Sequence, residues 1–121
     1  MTMSNARQAL GRRGEALASS YLNQRGYRII DRNVSYDCGE IDLIAVDGDE
    51  VVFVEVKTRS HDGFGGAEAV DRRKLSRLRR AAARWLQGRP PTIVRFDVLE
   101  LITYSPGMSI EHYRGIEDAA C

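Results

Sequence analysis

The sequence predicts an α/β fold: a mixed central sheet flanked by helices, in the order helix, strand, strand, strand, helix, strand. Three observations predict it. Segments 5–25 and 71–87 repeat apolar residues at helical spacing and end at glycines. Two runs rich in Val, Ile and Phe, 39–46 and 51–57, flank a short turn and read as a hairpin. The second run is apolar toward both sides until Glu55 and Lys57 interrupt it, as expected of a central strand covered on both faces.

The first helix is expected over 5–25. Leu10, Gly14, Leu17 and Tyr21 recur on one stripe, widened by Ala18 and Leu22. Ser4 or Asn5 would cap it and Gly26 would stop it. A first strand over 27–34 carries Tyr27, Ile29 and Asp31 on one face, and 33–39 reads as a loop. In the hairpin, glycine first in a two-residue Gly48-Asp49 loop suits a type II′ turn and fixes the register. Val46 then faces Val51, Ile44 faces Phe53, Asp42 faces Glu55, and Glu40 faces Lys57.

The polar, glycine-rich stretch 58–66 follows and would form a flap over whatever site lies at Lys57. His61 within it reads as a loop histidine. The second helix, 71–87, has a core stripe of Leu75, Leu78, Ala82, Trp85 and Leu86, and Gly88 would stop it. Pro90-Pro91 breaks the chain before a long strand over 92–102, where Asp97 reads as an edge or end residue. A short edge strand is expected over 108–114, with a frayed tail from Gly115. The whole of 1–121 reads as one domain with its core over 5–103.

The charged residues in the hairpin carry the chemistry. The register makes Asp42 and Glu55 a non-hydrogen-bonded pair with Cα atoms about 4.5 Å apart, where two carboxylates repel. Three things would compensate: a bound cation, the ammonium of Lys57, or a proton that one carboxylate keeps. Two carboxylates with some water suit Mg²⁺. Lys57, two residues beyond Glu55 on the same face, would stabilise developing negative charge or orient a water. The plainer alternative, polar residues on a solvated face, sits poorly with apolar Ile44, Val46, Val51 and Phe53 on that face.

Of the 121 residues, 43% are hydrophobic and 29% charged, which excludes a disordered or highly charged chain. No run is long enough to span a membrane, and Cys38 and Cys121 show neither metal spacing nor a disulfide framework, so a cytoplasmic setting is expected. The net charge of +1 hides an asymmetry. Residues 71–89 hold eight bases against Asp71 alone, giving +7 there and leaving −6 elsewhere. Arg73, Arg77, Arg80 and Arg84 form a stripe opposite the apolar one, with no acid interleaved. That purity of sign favours contact with phosphates over a merely solvated face.

Glu15, Asp42 and Glu55-Val56-Lys57, in this order of elements, resemble the PD-(D/E)XK nuclease superfamily and its restriction-endonuclease-like core. More of the chain resembles the YraN-like family. The matching pieces include Gly14-Glu15, Gly26-Tyr27, Gly39-Glu40-Ile41-Asp42-Leu43-Ile44, Val52-Phe53-Val54-Glu55-Val56-Lys57-Thr58-Arg59, Lys74 and Arg95-Phe96-Asp97-Val98. Archaeal Holliday-junction resolvases are similar at greater distance. The resemblance implies that Asp42, Glu55 and the Val56 carbonyl would ligate Mg²⁺, with Mn²⁺ as a substitute, and that Lys57 would assist the reaction. It also implies that Glu15, which by position alone reads as a solvated glutamate paired with Arg12, would approach the metal through water. Ile41 stands where the superfamily's name places proline. The expected activity is metal-dependent hydrolysis of phosphodiester bonds in DNA, with Arg59, Arg73, Lys74, Arg77, Arg80 and Arg84 on the backbone. A homodimer would suit a branched substrate. The alternative is a catalytically silent or partner-dependent nucleic-acid-binding module.

Overall fold

The computed structural model describes residues 3–60, 72–104 and 106–116, with side chains from residue 14 onward. Helix α1 spans Met3–Gln24; strands β1, β2 and β3 span Arg28–Tyr36, Gly39–Asp47 and Glu50–Ser60. Helix α2 spans Arg72–Leu86, and strands β4 and β5 span Ile93–Tyr104 and Gly107–Tyr113. The strands form one sheet in the order β1-β2-β3-β4-β5. Only β3 and β4 are parallel, joined by a crossover through α2; every other pairing is antiparallel. This is the expected mixed sheet flanked by helices, consistent with a restriction-endonuclease-like core. The side chain of Leu10, the stretch 61–66 with His61, and Asp71 lie outside the described residues.

Each sheet face carries one helix. Ala18 and Leu22 of α1 pack on Leu43, Ala45, Val52, Val54 and Leu99. Leu78, Ala81, Ala82 and Trp85 of α2 pack on Ile41, Ile44 and Phe53. Residues 51–54 of β3 therefore alternate between two buried layers, so every side chain on that stretch is apolar. Phe53 stands edge-on to Trp85 at 5.7 Å and stacks on Phe96 at 5.6 Å, spacings that favour aromatic pairs. Leu17, expected on the core stripe, is 38% exposed; the buried line of α1 runs instead through Gly14, Ala18 and Leu22.

The stops fall where glycine allows them. Gly26 and Gly88 adopt φ of 90° and 78°, and Tyr27 N–H closes back on the Leu22 carbonyl at 3.0 Å. Gly48 has φ 64° whereas Asp49 does not, as a type II′ turn requires. The register runs Asp47–Glu50, Val46–Val51, Ala45–Val52, Ile44–Phe53, Leu43–Val54, as the turn dictates.

Four further expectations need correction. Residues 58–60, expected in the flap, continue β3, because β4 offers parallel partners as far as Thr103. Strand β1 extends to Tyr36, so most of 33–39 is paired strand, because β2 offers partners as far as Gly39. A bulge between Ile29 and Asp31 changes the phase of β1, leaving Ile29 on the α1 side while Asp31 accepts a hydrogen bond from Trp85 Nε1 on the α2 side at 3.3 Å. The chain is also not frayed at Gly115. Its N–H donates to Asp97 at 3.0 Å, and Ile116 N–H donates to the Phe96 carbonyl at 2.7 Å.

Candidate metal and nucleic-acid site

Asp42 and Glu55 come together because the hairpin register points them at each other, but the ladder between them does not continue. Pairing stops at Leu43–Val54. In an unbroken ladder the Val56 N–H would donate to the Ile41 carbonyl. It donates instead to Asp42 Oδ2 at 2.8 Å. The cause lies one strand away. Asn33, which stands opposite Asp42, has φ 53°, and although the register is continuous across it the side chains of both strands change face there. Ile41 and Ile44 consequently share the α2 face although strict alternation would separate them. The expectation of a plain facing pair is thus corrected: Asp42 sits at a kink, its carboxylate docked on the backbone of β3.

Both carboxyls are largely buried and titrate high. Burial raises Asp42 to about 6, against the Val56 N–H that favours its charged form, with Glu15 and Glu40 adding repulsion. Burial raises Glu55 to about 7, with the Asp42 charge next in size. Asp42 ionises first, so their mutual repulsion falls on Glu55. Lys74 and then Lys57 oppose the rise at Glu55. Among the described residues no three His, Cys, Asp or Glu side chains stand close enough to hold a metal ion jointly.

Glu15 comes near enough to Asp42 to repel its charge, because Gly14 lets α1 lie close to the sheet. A Cβ at Gly14 would meet Leu101 Cδ1 at 3.2 Å and Thr58 Oγ1 at 3.3 Å. Gly39 does the same for α2, where a Cβ would stand 2.5 Å from the Arg77 carbonyl oxygen. That approach brings the first turns of α2 over the carboxylates. Glu40, Glu55, Lys74, Arg77 and Leu78 line a cavity of about 80 Å³, room for an ion and some water. Lys74, expected only among the phosphate-binding residues, therefore belongs to the carboxylate site. Glu40, expected opposite Lys57, belongs there too. The hairpin register already put Glu40 on the face of the carboxylates, whereas no local signal brought Lys74 to them, because the crossover decides what α2 covers. Lys57 is half-buried on β3, and Val56 packs partly on the α1 core.

The stripe on α2 is presented as expected: Arg73, Lys74, Arg77, Arg80 and Arg84 are exposed. Arg84 lies over the Tyr36 ring at 5.3 Å, and Arg79, outside the stripe, lies over Phe96 at 5.8 Å. Arg59 differs. Its Nε bonds to nearly buried Glu100 at 2.9 Å, so it is committed within the fold.

Residues 14–101, which hold all four core site positions, match the uncharacterised protein family UPF0102. The chain belongs to this family. A UPF0102 protein of Corynebacterium efficiens is 48% identical over 98% of this chain and 99% of its own. UPF0102 proteins of Frankia casuarinae and Rhodococcus jostii are 49% and 50% identical over 91% and 88% of the chain. The UPF0102 match begins at Gly14, beside Glu15, and ends at Leu101, which packs on Gly14. No helix among the described residues is long and apolar enough to cross a membrane.

Proposed function

We propose that this UPF0102 protein is a metal-dependent nuclease of the PD-(D/E)XK type, hydrolysing phosphodiester bonds in DNA, with branched or repair intermediates as candidate substrates. One observation carries the reading: two largely buried carboxylates from adjacent strands converge where the ladder opens, beside an exposed arginine face. Two such groups burden the fold unless something neutralises them.

The donor set fits a hard divalent cation. Asp42 and Glu55 offer oxygens, the Val56 carbonyl is a further candidate, and Glu15 and Glu40 add negative potential around Asp42. Mg²⁺ needs only one or two protein carboxylates when water and substrate phosphate complete its shell. Mg²⁺, or Mn²⁺ in its place, supplies charge neutralisation and acidifies water when bound. The protein does the rest. The Val56 N–H fixes the Asp42 carboxylate. Lys57 and Lys74, which both favour ionised Glu55, place positive charge where a phosphorane-like transition state gathers negative charge. Arg73, Arg77, Arg80 and Arg84 hold the backbone without reading sequence. Arg59 is left to a structural role.

A second reading has its own support. The lack of a third close carboxylate among the described residues suits a nucleic-acid-binding module that is silent alone or completed by a partner. Labelled branched, single-stranded and duplex DNA, incubated with Mg²⁺ or Mn²⁺, separates the two. Cleavage abolished by Asp42→Asn and by Glu55→Gln is expected. Salt-sensitive binding without cleavage would overturn the nuclease reading for the isolated chain.

A further inference from the structure

At the other end of the sheet, beside the β2–β3 turn, lies a polar cluster unrelated to the carboxylates. Asp97 is wholly buried, not the edge residue the sequence suggested. Its oxygens accept from Arg95 Nε at 3.0 Å, the Gly115 N–H at 3.0 Å, Tyr27 Oη at 3.2 Å and His112 Nε2 at 2.8 Å. Arg95 also binds Asp47 at 3.0 Å, Glu50 at 2.8 Å and Tyr27 Oη. An ionised carboxylate only accepts, so His112 carries its proton on Nε2. The network fixes Tyr27 and His112 as rigid planes. Tyr21 of α1 meets His112 edge-on at 5.6 Å.

On this floor stands a cavity of about 490 Å³, lined by Tyr21, Arg25, Tyr27, Asp47, His112 and Arg114. Its size falls in the range of small-molecule sites. Arg25 stacks on the Tyr21 ring at 3.7 Å. Arg114 is 61% exposed and reaches Asp47 at 3.3 Å, so most of its five N–H donors face outward. Tyr27, 5% exposed, and the His112 side chain, 8% exposed, form the floor, while Tyr21 and the two guanidinium groups stand at the mouth, which suits a ligand that joins a flat heterocycle to an anion.

We propose that this cavity is a second binding site, for one nucleotide unit, with the base against the Tyr21, Tyr27 and His112 wall and the phosphate on Arg25 and Arg114. The site stands independently of the nuclease reading, since it shares no residue with the carboxylates or with the basic side of α2. A free nucleotide and one residue of a single strand present the same chemistry.

The test titrates the full chain, by calorimetry, with AMP, adenosine, inorganic phosphate and a short oligothymidylate, alongside Arg25→Ala, Arg114→Ala and Tyr21→Leu. AMP or the oligonucleotide binds, and each arginine substitution weakens that binding about tenfold with the unfolding midpoint unchanged. Adenosine and phosphate alone bind at least about tenfold more weakly. Response to AMP marks a free-nucleotide site; response to the oligonucleotide alone marks a strand contact. The proposal is overturned if neither binds, if adenosine binds as well as AMP, or if affinity survives all three substitutions.

Discussion

Replacing Glu55 by glutamine should stabilise the metal-free protein, although it removes a proposed metal ligand. The Glu55 carboxyl is raised from 4.5 to about 7, first by burial and then by Asp42. At about 1.4 kcal/mol per tenfold, a rise of that size is worth about 3 kcal/mol against the folded state once both groups are ionised. The direction follows from proton binding. Between pH 4.5 and about 7 the folded protein holds a proton at Glu55 that the unfolded chain has released, so stability falls as pH climbs through this window. Asp42, raised to about 6, adds a parallel fall that the variant keeps. Glutamine preserves the shape and lacks the charge. At pH 8 in a chelator, Glu55→Gln is expected to be about 2–3 kcal/mol more stable than wild type, a rise in midpoint of about 6–10 °C for a domain of this size. Near pH 4 the two should coincide. Saturating Mg²⁺ should then raise the wild type more than the variant, since a cation stabilises only what binds it. Urea unfolding at both pH values, with and without Mg²⁺, measures all of this. A variant that is less stable at pH 8, or that differs from wild type equally at both pH values, would refute the argument that two charged, desolvated carboxylates burden the fold.

Three further outcomes are expected. Asp97→Asn removes a buried charge that accepts several hydrogen bonds, while Arg95 keeps Asp47 and Glu50, and should cost about 1.5–3 kcal/mol; chemical denaturation would check it. Although burial raises it, Asp97 is held below the usual carboxylate range by Arg95, the Gly115 N–H and His112, so its stabilisation is present above the unfolded value near 4 and lost as pH falls through the lower folded one, an acid limb the variant should flatten. Gly39→Ala drives a methyl into the Arg77 carbonyl and should destabilise by about 1–3 kcal/mol, with any DNA cleavage lost as α2 lifts from the carboxylates; unfolding and activity are measured together. Paired substitutions Arg77→Ala and Arg80→Ala should weaken DNA binding at all sequences and lower the salt slope by up to about 2, with the unfolding midpoint unchanged, which fluorescence anisotropy across a salt series would test.

Much of the carboxylate site was legible because the hairpin is local. Gly48-Asp49 sets the turn and the turn sets the register as far as Leu43–Val54, which carries Asp42 up to Glu55; the kink that seats Asp42 comes from outside the hairpin. The order of elements and both helix stops followed from periodicity and glycine placement in the same way. Glu15 was legible only through resemblance, since its approach depends on Gly14 seating against Leu101, a contact spanning most of the chain. Asp97 was misjudged because an acid within a strand reads as an edge residue unless its partners are known. Apart from Arg95 on the same strand, those partners are Tyr27 just before β1, His112 on β5 and Gly115 just beyond it.

The sequence by itself determined the elements, the hairpin register and the basic stripe, all of which rest on interactions between residues close in the chain, and the order of those elements implied the mixed sheet. The tertiary structure decided the rest. It placed the kink at Asp42, the docking of its carboxylate on β3, the arrival of Lys74 beside Glu55, the commitment of Arg59 to Glu100, and the buried cluster around Asp97. The physical reason is one of reach. Alternation and turn geometry carry information over a few residues, whereas a helix laid across a sheet by a crossover chooses its neighbours by packing, and burial then sets the charge of whatever it covers.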